Sequence, residues 1–416
     1  MLEHFNSIFH TYLSAFRKDY SCQSLLLKFV EEIKCAIDNK NLAGAIFMDL
    51  SKAFDCLPHG LLVSKLYAYG FSLDSCNLMA SYLSTRRQRV KIRDARSNWC
   101  YLSKGVPQGS ILGPLLFNVF INDMFYFIEK CNLYNFADDN SLLNISPTIE
   151  ELLSNLKHDS KICLKWYSDN GMAANPSKFQ FMVSSSTLIN DIEIQIDENV
   201  IIKPEPCVKV LGVHIDYKLS FSQHVKHCCT KAARQLNALT RISKYLCIQS
   251  KKQIFRSFIM SNFTYCSIVW HFCGLMNNSK IEKIQERALR IVYSDYESDY
   301  KTLLSIFGTD TMLLSRLKIM ILEVFKSLKG INPGYLHDIF YIKEQPYSLR
   351  DPLRLVQNKK NSTTFGLRSF GYLGSKMWND LPPQFKDLED TDISHFKCLL
   401  KQWIGPDLTA SENPFL

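Results

Sequence analysis

Apolar residues recur at helical spacing between residues 22 and 40, at Leu26, Phe29, Val30, Ile33 and Ile37, and predict an amphipathic helix. The next apolar run, LAGAIFMDL (Leu42 to Leu50), is short and carries one acid, Asp49, near its end, as a buried strand would. Pro58 opens a second helix, with Leu61, Leu62, Lys65, Leu66 and Tyr69 on alternating faces, and Gly70 closes it. Arg86 to Ile92 alternates in the manner of a strand. GVPQGSILGPLLFNVFIND (Gly105 to Asp123) begins with turn residues and becomes helical after Pro114. YNFADDNSLL (Tyr134 to Leu143) reads as strand, turn, strand, with Asp138 and Asp139 at the turn. A long amphipathic helix (Ile149 to Asn170) follows, then strands at Phe179 to Ser184 and Val208 to Asp216. From Phe221 to about Lys329 the pattern is mainly helical, and Ser257 to Met276 reads as a buried helix. The tail, with PYSLRDPLRL, WNDLPPQF and many Gly and Pro residues, reads as irregular. The first half is therefore α+β and the second mostly α, with a boundary near residue 220.

Composition narrows the setting. The chain has 416 residues, enough for two or three domains, and its 46% hydrophobic and 21% charged content is that of a globular protein. A net charge of +9 permits an anionic partner such as nucleic acid, and basic residues concentrate at STRRQRVKIR (Ser84 to Arg93). Fourteen cysteines without a C-x-x-C pair, in a chain this apolar, read as reduced thiols of an intracellular protein of nucleus or cytoplasm. His224, His227, Cys228 and Cys229 lie close together but lack a second ligand pair at zinc spacing. The N-terminus has no signal-peptide pattern, and Ser257 to Met276 is too polar for a membrane span, so no membrane partner is expected.

Two adjacent aspartates raise the chemical question. Asp-Asp-Asn is good turn chemistry, and an isolated pair needs no further explanation. Were the strand ending in Asp49 a neighbour of the Asp138–Asp139 hairpin, however, three carboxylates would meet at one sheet edge. Such charge makes sense around Mg²⁺, which prefers oxygen ligands and shares its shell with water and phosphate. An acid-pair hydrolase is disfavoured, because nothing around the turn suggests a raised-pKa acid or a sugar-stacking surface.

FMDLSKAFD (Phe47 to Asp55), GVPQGSILGPLLFNVFIND and FADD (Phe136 to Asp139) resemble the A, B and C motifs of reverse transcriptases. The version is similar to that of non-LTR (LINE-type), jockey-like retrotransposons. The likeness continues through NPSKFQFM (Asn175 to Met182), VKVLGVHID (Val208 to Asp216) and KIEKIQERALRIVY. It implies an RNA-directed DNA polymerase with an α+β right-hand palm, an antiparallel sheet packed on helices. Truncated fingers would precede it, and a mostly helical thumb and a C-terminal extension would follow. The boundaries implied are 1–40 for fingers, 41–220 for palm, 221–330 for thumb and 331–416 for an extension of open role. Asp49, Asp138 and Asp139 would hold two Mg²⁺ ions, with Mn²⁺ as a substitute. Lys178 would protonate the leaving pyrophosphate, and Phe54 would exclude a 2′-hydroxyl. Gln108, Gly109 and Arg17 would contact the nucleotide, with Gly105 and Gly113 also admitting close backbone approach, while Asp55 serves its own turn. Arg86, Arg87, Arg89, Lys91 and Arg93 would contact phosphates, and the Leu211–Gly212 hairpin would grip the primer end.

Partners implied are an RNA template with a DNA primer, and dNTPs; the oligomeric state stays open. The resemblance also carries departures. An upstream Arg-Pro-Ile-like finger segment, an endonuclease domain and a C-terminal Cys/His knuckle are expected to be missing. AFRKDYS (Ala15 to Ser21) has Ala15 and Asp19 where relatives carry Gly or a basic residue. Two readings follow: an active polymerase truncated at its N-terminus, or a retroelement remnant that at most binds nucleic acid.

Overall fold

The structure is a computed structural model that describes residues 2–185, 189, 191–197, 200–343, 353–386, 388 and 391–405. These fall into two units. The first comprises residues 1–21, 41–183 and 188–205, and the second residues 22–40, 184–187 and 206–416.

The first unit is built on a four-stranded sheet ordered Gln180–Ser184, Leu42–Met48, Asp139–Ser146, Asn132–Phe136. Leu42–Met48 runs antiparallel to Asp139–Ser146, from Leu42 opposite Ser146 to Met48 opposite Asn140. The α+β reading of this half holds. Helix Ile149–Asp169, capped by Thr148, packs across the sheet where Gly44 removes a side chain. A Cβ on Gly44 would lie 2.7 Å from Leu152 Cδ2 and 2.9 Å from Leu156 Cδ1. Helix Leu112–Ile121 is buried along most of its length, and Pro114 falls in its first turn, where a missing N–H costs nothing. The start therefore lies two residues ahead of the proline rather than after it. Lys65, from helix His59–Ala68, ties this region together by donating to the Phe120 carbonyl at 2.8 Å and pairing with Asp123 at 2.8 Å. A further helix, Leu73–Leu83, was not anticipated; Ser72 caps it by accepting from Ser75 N.

The stretch read as one strand, Arg86 to Ile92, forms two short ladders instead. Arg87–Gln88 pairs with Cys100–Tyr101, and Lys91–Ile92 with Ala95–Arg96. Burial explains the break: residues 87–101 are exposed throughout, so no core fixes a continuous strand.

In the second unit the expected amphipathic helix is Cys22–Asp38. Its buried acids are spent on backbone. The Glu31 carboxylate accepts from Phe370 N at 2.6 Å and Gly371 N at 2.9 Å, at the start of helix Phe370–Asp380. Asp38 accepts from Ser362 N and Oγ, each at 2.7 Å. The tail is thus more ordered than its Gly and Pro content suggests. Ser369 and Asp392 cap helices Phe370–Asp380 and Ile393–Gln402, while most of PYSLRDPLRL lies outside the described residues.

Cys207–Val210 and Val213–Asp216 form a hairpin rather than one strand. Nor is Ser257 to Met276 a single helix. A π-turn at Phe255–Met260 leads into Ser261–Thr264, and Cys266 then takes a left-handed φ of 46°. The Trp270 indole donates to the Tyr265 carbonyl at 3.0 Å and fixes the turns that follow, with Trp270 fully buried. Among the described residues no helix is long and apolar enough to cross a membrane. All fourteen cysteines are free thiols.

The crossing at Gly44 makes a direct prediction. Gly44→Val should lower the unfolding free energy by about 1–3 kcal/mol, because added methyl groups overpack a site closed by Leu152 and Leu156. Urea denaturation followed by circular dichroism measures it.

Candidate active site

The FADD hairpin is closed by Ala137 and Asp138 between paired Phe136 and Asp139. Ala137 alone has positive φ, 58°, as at the first central position of a II′ turn, where glycine is the usual occupant. The turn is held by amides. Buried Asn135 donates through Nδ2 to the Ala137 carbonyl at 2.7 Å and to Asn140 Oδ1 at 3.0 Å. Asn140 Nδ2 reaches the Asp138 carbonyl at 3.4 Å. Asn135 is itself fixed on both backbone sides, by Tyr12 O and Ser14 N.

Register then gathers the acids. Met48 pairs with Asn140 at the end of the ladder, and Asp49 and Asp139 are the residues that adjoin this last pair. Asp139 reaches solvent, yet its carboxyl is raised from 3.8 to about 6, first by burial and then by the negative charges of Asp138 and Asp49. Asp139 thus lies within electrostatic reach of both Asp138 and Asp49.

Lys178 joins them. Its Nζ lies 3.0 Å from Asp49 Oδ2, and the Pro176–Lys178 turn that carries it is anchored by Asn175 N donating to the Asp49 carbonyl at 3.0 Å. Both partners reach solvent, so the pair adds only about 0–1 kcal/mol of stability; its use is placement.

Among the described residues no three His, Cys, Asp or Glu side chains converge tightly enough to cage a metal unaided. Mg²⁺ in phosphoryl-transfer sites is held by one or two carboxylates, with water and substrate phosphate completing its shell. Carboxylate oxygens that repel one another fit such an ion, with Asp49, Asp138 and Asp139 as the residues to hold it.

The turn after Asp49 and the loop GVPQG are strapped together. Val106 N donates to the Phe54 carbonyl at 2.9 Å, Gly105 N to Leu57 O at 2.8 Å, and Gln108 Nε2 to Asp55 Oδ1 at 2.9 Å. Gly105 has φ +81°, and its carbonyl accepts from Arg86 Nη1 at 2.7 Å and from His59, as the Nε2–H tautomer, at 2.8 Å. A Cβ on Gly105 would meet the Asp55 backbone at 2.8 Å, and one on Gly113 the Pro107 carbonyl at 2.8 Å. These two glycines serve contacts inside the protein, so the expected close approach to substrate is left to Gly109, which has φ +80° and open space around it. Phe54 stacks on Phe117 with centroids 4.4 Å apart and meets Phe16 edge-on, which fixes a half-buried ring beside Asp55.

Arg17 is placed otherwise than expected. Its guanidinium donates to the carbonyls of His10 at 2.8 Å and Leu13 at 3.0 Å and lies over the Tyr20 ring, so it organises its own loop. Arg86 likewise supports the Gly105 loop, whereas Arg87 and Arg89 both lie 4.4 Å from the Trp99 ring on the exposed ribbon. Leu211 and Gly212 belong to the second unit. Both have positive φ, 45° and 82°, and the Tyr265 hydroxyl donates to the Leu211 carbonyl at 2.7 Å. The Tyr265 ring lies 3.3 Å from where a Cβ on Gly212 would stand.

Sequence reasoning missed the Asn135–Asn140 cradle, although both residues flank the acids. It also missed a charge run. Residues 217–281 hold ten of the 49 Lys and Arg and none of the 40 Asp and Glu. Helix Ser222–Ile242 falls in this stretch, and its exposed Arg234, Asn237, Thr240 and Arg241 line an open concavity.

The family described as reverse transcriptase (RNA-dependent DNA polymerase) matches residues 1–215. The probable RNA-directed DNA polymerase from transposon BS of Drosophila melanogaster is 27% identical over 67% of this chain and 32% of its own length. The RNA-directed DNA polymerase from mobile element jockey, of the same organism, is 26% identical over 66% of this chain and 31% of its own. The chain spans about a third of the length of these relatives. Among solved structures, apo telomerase from Candida tropicalis aligns over 81% of this chain and 59% of its own, at 12% identity and a TM-score of 0.40.

Two measurements test the site. Gly105→Ala should cost about 2–4 kcal/mol of stability, since it adds a backbone clash to an unfavourable φ. Gly109→Ala, with only the φ penalty, should cost about 1–2 kcal/mol. The second concerns Asp139. Below about pH 4 its carboxyl is protonated folded or unfolded, but between about 4 and 6 the unfolded chain releases a proton that the folded site keeps. In EDTA, raising pH through that window should therefore destabilise the protein through this group, and Asp139→Asn should flatten that part of the Tm profile.

Proposed function

Because this chain belongs to the reverse transcriptase (RNA-dependent DNA polymerase) family, and its relatives are polymerases of non-LTR, LINE-type retrotransposons, we propose that it is the polymerase portion of such an element. It extends a DNA primer on an RNA template with dNTPs. The observation that supports the reading is the closeness of Asp139 to Asp138 and Asp49, with Lys178 against Asp49. A protein that merely binds nucleic acid has no use for a carboxylate held against two others.

The family generally uses divalent metal ions, and two Mg²⁺, replaceable by Mn²⁺, are the proposed pair. When bound they would supply Lewis-acid activation of the primer hydroxyl and charge neutralisation at the leaving pyrophosphate. The chain's own residues do the rest. The 3′-hydroxyl attacks the dNTP α-phosphate as the bond to pyrophosphate breaks. Lys178, an ammonium at the edge of the acid set, is placed to give a proton to that leaving group. Phe54, immobilised on Phe117, excludes a ribose 2′-hydroxyl by filling its space. Gln108 is held by Asp55 at the head of the loop, and Gly109 leaves room there for the nucleotide and template. The Leu211–Gly212 hairpin is the candidate contact for the primer end, and the acid-free basic helix Ser222–Ile242 is a candidate contact for nucleic-acid phosphates.

The test is primer extension on a primed homopolymer RNA with dNTPs and Mg²⁺. The wild-type chain should extend, and Asp138→Ala should lose at least about 10²-fold in rate. Phe54→Ala should raise ribonucleotide use relative to deoxyribonucleotide by about 10–100-fold. A folded wild-type chain that binds primed template and extends nothing would refute the reading.

A further inference from the structure

Residues 87–101 form a two-stranded ribbon that buries neither of its faces. Val90 is 62% exposed, Ile92 69%, Trp99 45% and Tyr101 71%. An isolated two-stranded hairpin is marginally stable at best in water, so a ribbon of this kind calls for a partner. Its register says what chemistry the partner has.

Arg87 pairs with Tyr101 and Gln88 with Cys100, whereas Lys91 pairs with Arg96 and Ile92 with Ala95. One extra residue therefore sits on the returning strand, a bulge beside the Val90–Ser97 contact, where Ser97 N donates to Val90 O at 2.9 Å and Ser97 Oγ accepts from Val90 N at 2.9 Å. Alternation on either side of the bulge puts Arg87, Arg89 and Lys91 on the same face as Arg96, Trp99 and Tyr101. The guanidiniums of Arg87 and Arg89, each 4.4 Å from the Trp99 ring, bear this out. Val90, Ile92 and Ala95 fall on the reverse. One face is thus made of cations and aromatic rings only, and Asp94 at the tip is the one acid between residues 87 and 101.

We propose that this face binds single-stranded nucleic acid, with Arg87, Arg89, Lys91 and Arg96 on phosphates and the Tyr101 ring stacked on an unpaired base. Trp99 acts as a positioning residue: its indole holds two guanidiniums that would otherwise sample many rotamers. A single strand fits better than a duplex. Exposed rings need bases whose faces are open, and the major groove of an A-form helix is too deep and narrow for side chains to read. Identification of that strand as the unpaired RNA template rests on the polymerase reading above; the binding itself does not.

The experiment titrates the full chain against a labelled 20-nucleotide RNA, single-stranded or annealed to complementary DNA, by fluorescence anisotropy over a series of KCl concentrations. With Arg87→Ala and Arg89→Ala combined, single-strand affinity should fall at least about tenfold. The slope of log affinity against log salt should also shrink by about 1.4, which is about 0.7 for each lost phosphate contact. Tyr101→Ser should lose about tenfold with its salt slope unchanged, since stacking releases no counterion. Unchanged affinity and slope in both variants would overturn the proposal, as would an equal loss on the duplex. Photo-crosslinking of 5-bromouridine RNA to the wild-type chain needs no variant: adducts at Trp99 or Tyr101 support the assignment, and adducts confined to other residues contradict it. Primer extension on the same preparation separates the two claims. Extension with an indifferent ribbon defeats this proposal alone, and ribbon binding without extension defeats the polymerase reading alone.

Discussion

The carboxylate of Asp139 is held at one end of the sheet against burial and against the negative charges of Asp138 and Asp49. Both register in that carboxyl, which is pushed up to about 6. Each device that keeps the acids in place works through backbone. The antiparallel register from Leu42 closes with Met48 opposite Asn140, the pair that Asp49 and Asp139 adjoin. The buried amides of Asn135 and Asn140 hold the turn carbonyls, so Ala137 keeps a φ that disfavours side chains. Asn175 holds the Asp49 carbonyl, and the same turn delivers Lys178 to the carboxylate. A charge cluster that stays assembled against its own repulsion is poised for cations, because ion binding relieves what the fold otherwise bears.

The same economy of backbone explains the neighbouring loop. Gly105, Gly109 and Gly113 look alike in sequence, but two of them let one part of the protein approach another. The Gly105 carbonyl collects donors from His59 and Arg86, and its missing Cβ admits the Asp55 backbone. The loop and the turn bearing Phe54 are therefore joined through backbone, and Gln108 is tethered to them through Asp55. A nucleotide seated there would meet parts already fixed relative to the acids, which is where preorganised sites gain most.

Much of this was legible in the chain. The FADD hairpin, the strand leading to Asp49, the helix around Pro114 and the α+β character of the first half follow from periodicity and turn residues. What periodicity could not supply was the use to which polar groups are put. Arg17 resembles a phosphate ligand in sequence, but local carbonyls of His10 and Leu13 claim its guanidinium. Glu31 and Asp38 look like the wet face of an amphipathic helix, yet they are buried as caps for segments more than 300 residues away. Ser257 to Met276 has helical composition, and one indole bond from Trp270 to Tyr265 sets its path instead. Each departure is a side chain hydrogen-bonding to backbone, across four to seven residues for Arg17 and Trp270 and more than 300 for Glu31 and Asp38, and periodicity marks no such bond.

Charge distribution separates the two units in a way that net charge hides. The value of +9 is accounted for by residues 217–281, where ten Lys and Arg meet no acid, while the remainder of the chain is close to balanced. Within the first unit, acid and base are sorted again: the carboxylates at the sheet end, the cations on the ribbon of residues 87–101. Long-range attraction of a polyanion falls off within about 10 Å at ordinary salt, so a uniformly basic surface would capture nucleic acid anywhere upon it. The positive charge is thus concentrated in residues 217–281 of one unit and on the ribbon of residues 87–101 in the other, and net charge alone reveals neither.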